Sequence, residues 1–242
     1  MNEPGEISGW PKLVMRYPTD PDHIARLLPP GIEPCGPAEV QINVYCIPVF
    51  GQPELGISTK VPARYAGIDG HWSLGMGIDQ EAAIFSSRET NGQPKFPCTV
   101  RYFRLGDTVE AEATHQGHTF LSYRGTLAGE VPLTGEETHD DEWWVKVSRA
   151  VGGTRGYDFP PHVVRVHTSG VATSVVTLDG ELTLRDSPWD PYTTRLPMLG
   201  PARAELVTTR HTGRALTLAG PLDPDGFWPF ADTIGGSRWP KA

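Results

Sequence analysis

The chain has 242 residues, long enough for one large domain or two small ones, and carries a formal net charge of −8 at pH 7. It lacks a basic run and any apolar stretch near the roughly 18 residues of a membrane span, so neither nucleic acid nor membrane is an expected partner. Three cysteines without metal-ligand spacing, and an acidic segment 1–6 without an apolar signal region, predict a cytoplasmic protein with free thiols.

The N-terminal third is predicted to alternate between short helices and strands. A helix begins at Asp20-Pro21, with a capping side chain and a proline in its first turn, and ends at the Pro-Pro-Gly turn 29–31. A strand follows over 39–50. The Gly- and Pro-rich segment 51–70 predicts an irregular loop of the kind that often borders functional sites.

The next two predicted elements lead to the most unusual segment of the chain. Residues 72–78 indicate a strand, and Asp79 is placed to cap a helix that continues to about Ser87. Beyond this helix, Lys95 lies between Pro94 and Pro97, on a stiffened and partly apolar stretch.

After residue 97 the pattern is typical of β-structure. Segment 135–142 predicts an acidic loop, and the aromatic and β-branched run 143–147 favours a strand. The other predicted strands lie at 99–105, 108–114, 118–127, 163–167, 170–178, 181–184, 204–211 and 216–219. With 27 glycines and 24 prolines, the pattern predicts one antiparallel β-rich domain over 1–242, with a few helices.

Lys95 is the strongest candidate for a catalytic group. A lysine of ordinary pKa leaves only about one amine in a few thousand neutral at pH 7, but an apolar pocket or a nearby cation lowers that pKa. A lysine activated in this way attacks carbonyl groups and forms Schiff bases. The alternative is a solvated loop lysine, which a Pro-Lys-Phe sequence alone would favour.

The surrounding motif favours the reactive lysine. The run from Asp79 through Glu81, Arg88 and Glu89 to Pro94-Lys95 resembles the acetoacetate decarboxylase-like superfamily, and the resemblance extends over most of the chain. It implies an α+β, mainly antiparallel β fold, with a closed, barrel-like sheet around the lysine, and a homo-oligomer. It also implies that Lys95 forms an imine with a keto acid.

Several positions depart from the true decarboxylases that the chain resembles. Phe96 stands where those enzymes carry a second lysine, and the arginine associated with the substrate carboxylate is replaced near Trp10. One family glutamate falls on Asn43, whereas a second aligns with Gly56, two residues from Glu54. The chain is therefore more similar to family members that act as pyruvate aldolase-dehydratases or hydratases.

The resemblance implies a lyase acting on a small 2-oxo acid, with an aldehyde as a candidate second substrate. Lys95 forms the iminium, and a carboxylate, either Glu81 or Glu54, removes a proton from the adjacent carbon. Arg88 is expected to take over the role of the missing second lysine, and Glu89 to orient the pocket.

Substrate contacts are predicted for five side chains, and two other functions stay open. Gln93 can donate its amide to a carboxylate or carbonyl, and the other predicted contacts are Trp10, Asn43, Phe96 and Glu89. The first alternative is decarboxylation of a 3-oxo acid such as acetoacetate. The second is a non-catalytic β-barrel that binds a small ligand.

Other chemistries receive little support from the sequence. No nucleophile elbow, P-loop or dinucleotide fingerprint is present, so no cofactor is expected. His115 and His118 are three residues apart, but Gly117 argues against a helical metal-ligand pair. No metal is predicted.

Overall fold

The computed structural model describes residues 10–231, 239 and 240; segment 1–6, which entered the prediction of location, lies outside them. This part of the chain contains four α-helices: α1 (Pro21–Leu27), α2 (Glu81–Asn91), α3 (Tyr192–Arg195) and α4 (Pro224–Ala231). The strands are β1 (Lys12–Pro18), β2 (Glu33–Pro34), β3 (Glu39–Val49), β4 (Gln52–Tyr65), β5 (Ile68–Ile78), β6 (Lys95–Pro97), β7 (Thr99–Leu105), β8 (Thr108–His115), β9 (His118–Glu130), β10 (Glu137–Arg149), β11 (Tyr157–Leu184) and β12 (Arg203–Pro221).

Seven strands form a closed ring. They pair in the order β10, β5, β4, β3, β1, β12 and β11, and β11 pairs again with β10. Strands β9, β8 and β7 extend the sheet from β11, and the short strands β2 and β6 pair with β4 and β5. All pairings are antiparallel except β10 with β5 and β5 with β6. The predicted α+β, mainly antiparallel fold with a closed sheet is confirmed.

The ring strands separate apolar and polar side chains by strand alternation. On β3, Ile42 and Val44 belong to the main apolar core. Gln41 and Asn43 point to the other face, where the Gln41 amide donates a hydrogen bond to Asn43 at 3.0 Å. The ring therefore has an apolar face, on which the main core is built, and a polar face, on which the candidate site lies.

The prediction of an irregular loop over 51–70 is wrong, because this segment forms β4 and the start of β5. Two of its four glycines, Gly51 and Gly67, lie in the turns at the two ends of β4, and the other two lie within strands. Gly51 and Gly67 both have positive φ, 72° and 79°, and each follows a residue of positive φ, Phe50 and Ala66. Two consecutive left-handed residues are the signature of tight hairpin turns.

The acidic loop predicted at 135–142 is also mostly strand, since β10 begins at Glu137. Its charges are accommodated by pairing across the sheet: Asp141 accepts hydrogen bonds from Arg165 of β11 at 2.6 and 3.0 Å. The strand predicted at 143–147 is confirmed as part of β10.

The separate strands predicted after residue 163 form two long strands. β11 covers 28 residues and β12 covers 19. The glycines that suggested breaks lie within the paired region, where the register shifts between Ser169 and Gly170 without ending the strand. Glycine at such positions marks a β-bulge as often as a turn.

The predicted start of α1 is confirmed, because Asp20 caps it and accepts a hydrogen bond from the Asp22 amide at 2.8 Å. The predicted cap of α2 is wrong. Gln80 occupies that position, and the Asp79 carboxylate instead accepts a hydrogen bond from the Leu55 amide at 2.9 Å. Within the described residues, no helix has the length and apolar character needed to cross a membrane.

Candidate active site

The end of α2 directs the chain back to the ring and positions Lys95. Gly92 ends the helix in the left-handed conformation, φ 66°, and a Cβ there would lie 2.3 Å from the carbonyl oxygen of Val145. Only glycine meets both conditions. The chain then pairs in parallel with β5, and the Met76 amide donates a hydrogen bond to the Pro94 carbonyl at 2.9 Å. Met76 is the register partner of Lys95.

Lys95 forms a buried ion pair with Glu54. Its Nζ lies 2.9 Å from Oε2 of Glu54, and the two residues are 5% and 1% exposed. Charged groups this deeply buried are rare unless they are paired, and pairing only partly offsets their loss of hydration. The sequence contained both residues as candidates, and the tertiary structure brings them together across 41 positions.

Tyr45 completes this group and was not predicted. It lies on β3 opposite Gly56 of β4. Burial, the charge of Glu54 and a hydrogen bond to it raise the pKa of the Tyr45 hydroxyl well above its ordinary range, so the phenol keeps its proton. Strand alternation carried the missed signal, because Tyr45 is two residues after Asn43 and therefore on the same face.

Gly56 leaves the space that the Tyr45 ring occupies. A Cβ at Gly56 would lie 2.3 Å from Cζ of Tyr45. The tyrosine ring therefore fills volume that a side chain at this position of β4 would otherwise need. The glycine and the tyrosine therefore form a matched pair across β3 and β4.

We expect Gly56→Ala to destabilise the protein by about 1–3 kcal/mol, because the added methyl group must displace the tyrosine ring. Urea unfolding measures the effect. The control is the same substitution in a Tyr45→Ala background, where the cost should fall below about 0.5 kcal/mol. An equal cost in both backgrounds would show that the ring is not the obstacle.

The ion pair opens on a cavity of about 930 Å³. Trp10 and Gln93, two of the predicted substrate contacts, line the same cavity, and the Gln93 amide lies 3.1 Å from Sδ of Met76. Asn43 does not line the cavity itself, but it donates a hydrogen bond at 3.1 Å to Ser58, which does. Of the five predicted substrate contacts, two therefore line this cavity directly.

The remaining predicted residues line a second cavity of about 1,290 Å³, which Lys95 also borders. Glu81 and Glu89 are exposed on α2. Arg88 donates a hydrogen bond from Nη1 to the main-chain carbonyl of Lys95 at 2.6 Å, so its contact is with the backbone of β6. The carboxylate in contact with the amine is that of Glu54, whereas Glu81 borders the other cavity.

Phe96 faces this second cavity and packs on a buried histidine. Its ring centroid lies 4.6 Å from that of His115, and His115 Nδ1 is 2.8 Å from the Asp190 carboxylate. The histidine that the sequence raised as a possible ligand thus has a carboxylate partner. Among the described residues, no group of three or more His, Cys, Asp or Glu side chains is placed to hold a metal ion.

Comparison with known proteins gives the family. The acetoacetate decarboxylase (ADC) family matches residues 4–221. A search of curated proteins gave no match.

Solved structures show the same fold. The acetoacetate decarboxylase of Legionella pneumophila has a TM-score of 0.71 at 20% identity, over 88% of this chain and 84% of that one. The enduracididine biosynthesis enzyme MppR, complexed with the condensation product of pyruvate and imidazole 4-carboxaldehyde, has a TM-score of 0.63 at 16% identity, over 85% and 86%. An acetoacetate decarboxylase-like enzyme of Sphingomonas wittichii RW1 has a TM-score of 0.68 at 12% identity, over 88% of this chain and 91% of that one.

The TM-scores establish that the chain shares the fold of these proteins. The match to the family covers most of the chain, and it includes the segment that carries Lys95 and Glu54. The chain therefore belongs to the acetoacetate decarboxylase family.

Proposed function

We propose that this protein is a Schiff-base-forming lyase that acts on a small 2-oxo acid through an imine on Lys95, as a pyruvate aldolase-dehydratase or hydratase. The observation that carries the proposal is the buried Lys95–Glu54 pair, with 2.9 Å between nitrogen and oxygen, at the wall of a cavity. It places a potential nucleophile and a proton acceptor in contact, away from bulk water.

Imine formation begins with transfer of a proton from the Lys95 ammonium to Glu54. The neutral amine attacks the ketone carbon, and the nitrogen loses a proton as the oxygen gains one. Glu54 then returns its proton to the departing hydroxyl group, which leaves as water. The products are an iminium on Lys95 and an ionised Glu54.

The iminium nitrogen is an electron sink, so a proton on C3 becomes acidic. Glu54 takes this proton and an enamine forms. The enamine carbon attacks an aldehyde, and the new alkoxide takes the proton from Glu54. A second proton then leaves C3, and the new hydroxyl group takes up a proton and departs as water. An unsaturated iminium remains. Hydrolysis with one water releases the unsaturated 2-oxo acid and restores Lys95.

Two features favour this reaction over decarboxylation. Phe96 stands where the true decarboxylases that the chain resembles carry a second lysine, and its side chain packs on His115. The resemblance aligns a family glutamate with Gly56, and the Tyr45 ring fills the space beside this glycine. MppR, which shares the fold, is a protein captured with a pyruvate condensation product.

Acetoacetate decarboxylation is the second candidate, favoured by the family to which the chain belongs. The same iminium on Lys95, formed with a 3-oxo acid, would draw electrons from the breaking bond to the carboxylate and release carbon dioxide. Both candidates share the imine and differ in the bond that breaks next.

Product analysis distinguishes them. With pyruvate and an aldehyde, the proposed activity yields an ultraviolet-absorbing enone and no gas, whereas a decarboxylase releases carbon dioxide from acetoacetate and makes no enone. Carbon dioxide as the sole product would replace our proposal with the second candidate. Neither product, together with no trapped imine, would favour the non-catalytic binding protein.

A homo-oligomer, implied by the family resemblance, belongs to the same proposal. Leu216 and Leu218, two residues apart on β12, are exposed, as expected of a surface that a second copy would cover. Light scattering coupled to size-exclusion chromatography tests it. A cytoplasmic location stays a prediction from the sequence.

A further inference from the structure

The cavity beside the Lys95–Glu54 pair is also lined by basic side chains that are not part of this pair. Lys12 of β1 and Arg210 and Arg214 of β12 line the cavity together with Lys95 and Glu54. Among the described residues of that lining, Glu54 is the only carboxylate, and it is already paired with Lys95. A cavity with three further cations is a specific feature in a chain whose net charge is −8.

None of these three cations has a carboxylate partner within residues 10–231, 239 and 240. The nearby acidic groups, Asp140 and Glu142, are engaged by Lys60, at 2.7 and 3.7 Å. Arg214 lies 6.0 Å from the ring of Trp144, which also lines the cavity. A cation over an aromatic face is held in place without being neutralised.

The electrostatics agree with this geometry. Burial, followed by the charge of Lys60, lowers the pKa of Lys12 to about 8. Burial, Lys12 and Arg214 together lower the pKa of His211, which lines the cavity as well. Side chains from β1 and β12 therefore repel one another across the same space, and an anion there would relieve that repulsion.

We propose that this cavity holds a condensation product with two carboxylates, and that Lys12 and Arg214 bind the one remote from the reacting ketone. The inference rests on the proposed function and deepens it. The enamine carbon of pyruvate joins the aldehyde carbon, so the remote carboxylate belongs to the aldehyde. The second substrate is then an aldehyde that carries a carboxylate, and the product is an unsaturated 2-oxo dicarboxylic acid.

Two probes of equal chain length isolate the remote carboxylate. 2-Oxoadipate and 2-oxohexanoate differ in ending in a carboxylate or a methyl group, and both can form an imine. We expect borohydride to trap the diacid with a half-saturation concentration at least tenfold lower than that of the monoacid. Mass spectrometry maps the reduced adduct.

Lys12→Met and Arg214→Gln should each reduce this preference severalfold, and the double variant should bring the two acids within about twofold of each other. The control is Arg101→Gln, which removes one positive charge from an exposed arginine paired with Glu112, away from the cavity. It should retain the full preference, which excludes an effect of net charge alone.

The pH dependence of the preference is an independent readout. The preference is the ratio of the two half-saturation concentrations, and any effect of pH on imine formation acts on both acids and cancels in that ratio. Below about pH 8 Lys12 is protonated and the preference should be largest, and it should decline as the pH rises through this value. Lys12→Met should remove most of the decline. The charged groups around Lys12 are Lys60, Asp140, Arg16, Glu142 and His211.

The outcomes separate the two proposals. Adducts with both acids at equal half-saturation would overturn the second carboxylate and leave the imine chemistry intact. A preference that survives the double variant would assign the remote carboxylate to other residues and overturn the role of Lys12 and Arg214. No adduct with these acids or with pyruvate would overturn the proposed function and this inference with it.

Discussion

Lys95→Met is expected to abolish the borohydride-trapped adduct with pyruvate and to lower turnover by more than about a thousandfold, because it removes the amine that forms the imine in the proposed mechanism. Methionine keeps the length of the side chain, so the cavity changes little. Intact-mass and peptide-mapping mass spectrometry follow the adduct. An adduct of undiminished yield on another lysine would contradict the assignment of Lys95.

The same variant should also be less stable, and this effect must be separated from the chemistry. Removing the amine leaves the Glu54 carboxylate buried, at 1% exposure, without its cation. Breaking a buried pair in this way costs about 3–5 kcal/mol. The double variant Lys95→Met/Glu54→Gln should recover most of this loss in urea unfolding and still form no adduct. Recovery of stability without recovery of chemistry would isolate the catalytic role.

Glu54→Gln is expected to slow both imine formation and proton transfer at carbon, because Glu54 exchanges a proton in each step of the proposed mechanism. The amide keeps the volume of the side chain and can still accept a hydrogen bond from Lys95, which lies 2.9 Å away in the native protein. It cannot take a proton from C3. Exchange of the pyruvate methyl hydrogens in D₂O, followed by NMR, should therefore slow by about 10²–10⁴-fold. The trapped adduct should still form on Lys95, but more slowly than in the native protein, because the amine itself is retained.

Glu81→Gln is the matched control, since it makes the same change at the other carboxylate that the sequence nominated. Glu81 is exposed and borders the second cavity. We expect exchange within about threefold of wild type, an effect below 1 kcal/mol. Slow exchange in Glu81→Gln with normal exchange in Glu54→Gln would reverse the assignment of the base.

Much of the fold was predictable because its signals are local. The cap at Asp20 and the β-rich pattern after residue 97 depend on neighbouring residues, and the structure bears them out. The segments 51–70 and 135–142 were assigned to loops because their glycines, prolines and acids are typical of loops. In the structure Gly51 and Gly67 form hairpin turns at the ends of β4, and Asp141 pairs with Arg165 across the sheet.

In the candidate site, too, the local feature was predictable and the long-range contact was not. Lys95 stood out in the sequence, because two flanking prolines and a family motif are local features. Its partner could not be chosen, since Glu81 is near in sequence and Glu54 is near in space. The α-helix between β5 and β6 places Glu81 at the second cavity, and the pairing of β4 with β5 and of β5 with β6 brings Glu54 beside Lys95.

The sequence by itself determined the fold class, the family and the residue with the potential for imine chemistry, because composition, periodicity and a contiguous motif are properties of the chain. Only the tertiary structure decided which carboxylate contacts the amine, that Tyr45 fills the space above Gly56, and that Lys12 and Arg214 share the cavity. These are contacts between different strands, and the pairing of β3 with β4, of β4 and β6 with β5, and of β1 with β12 creates them.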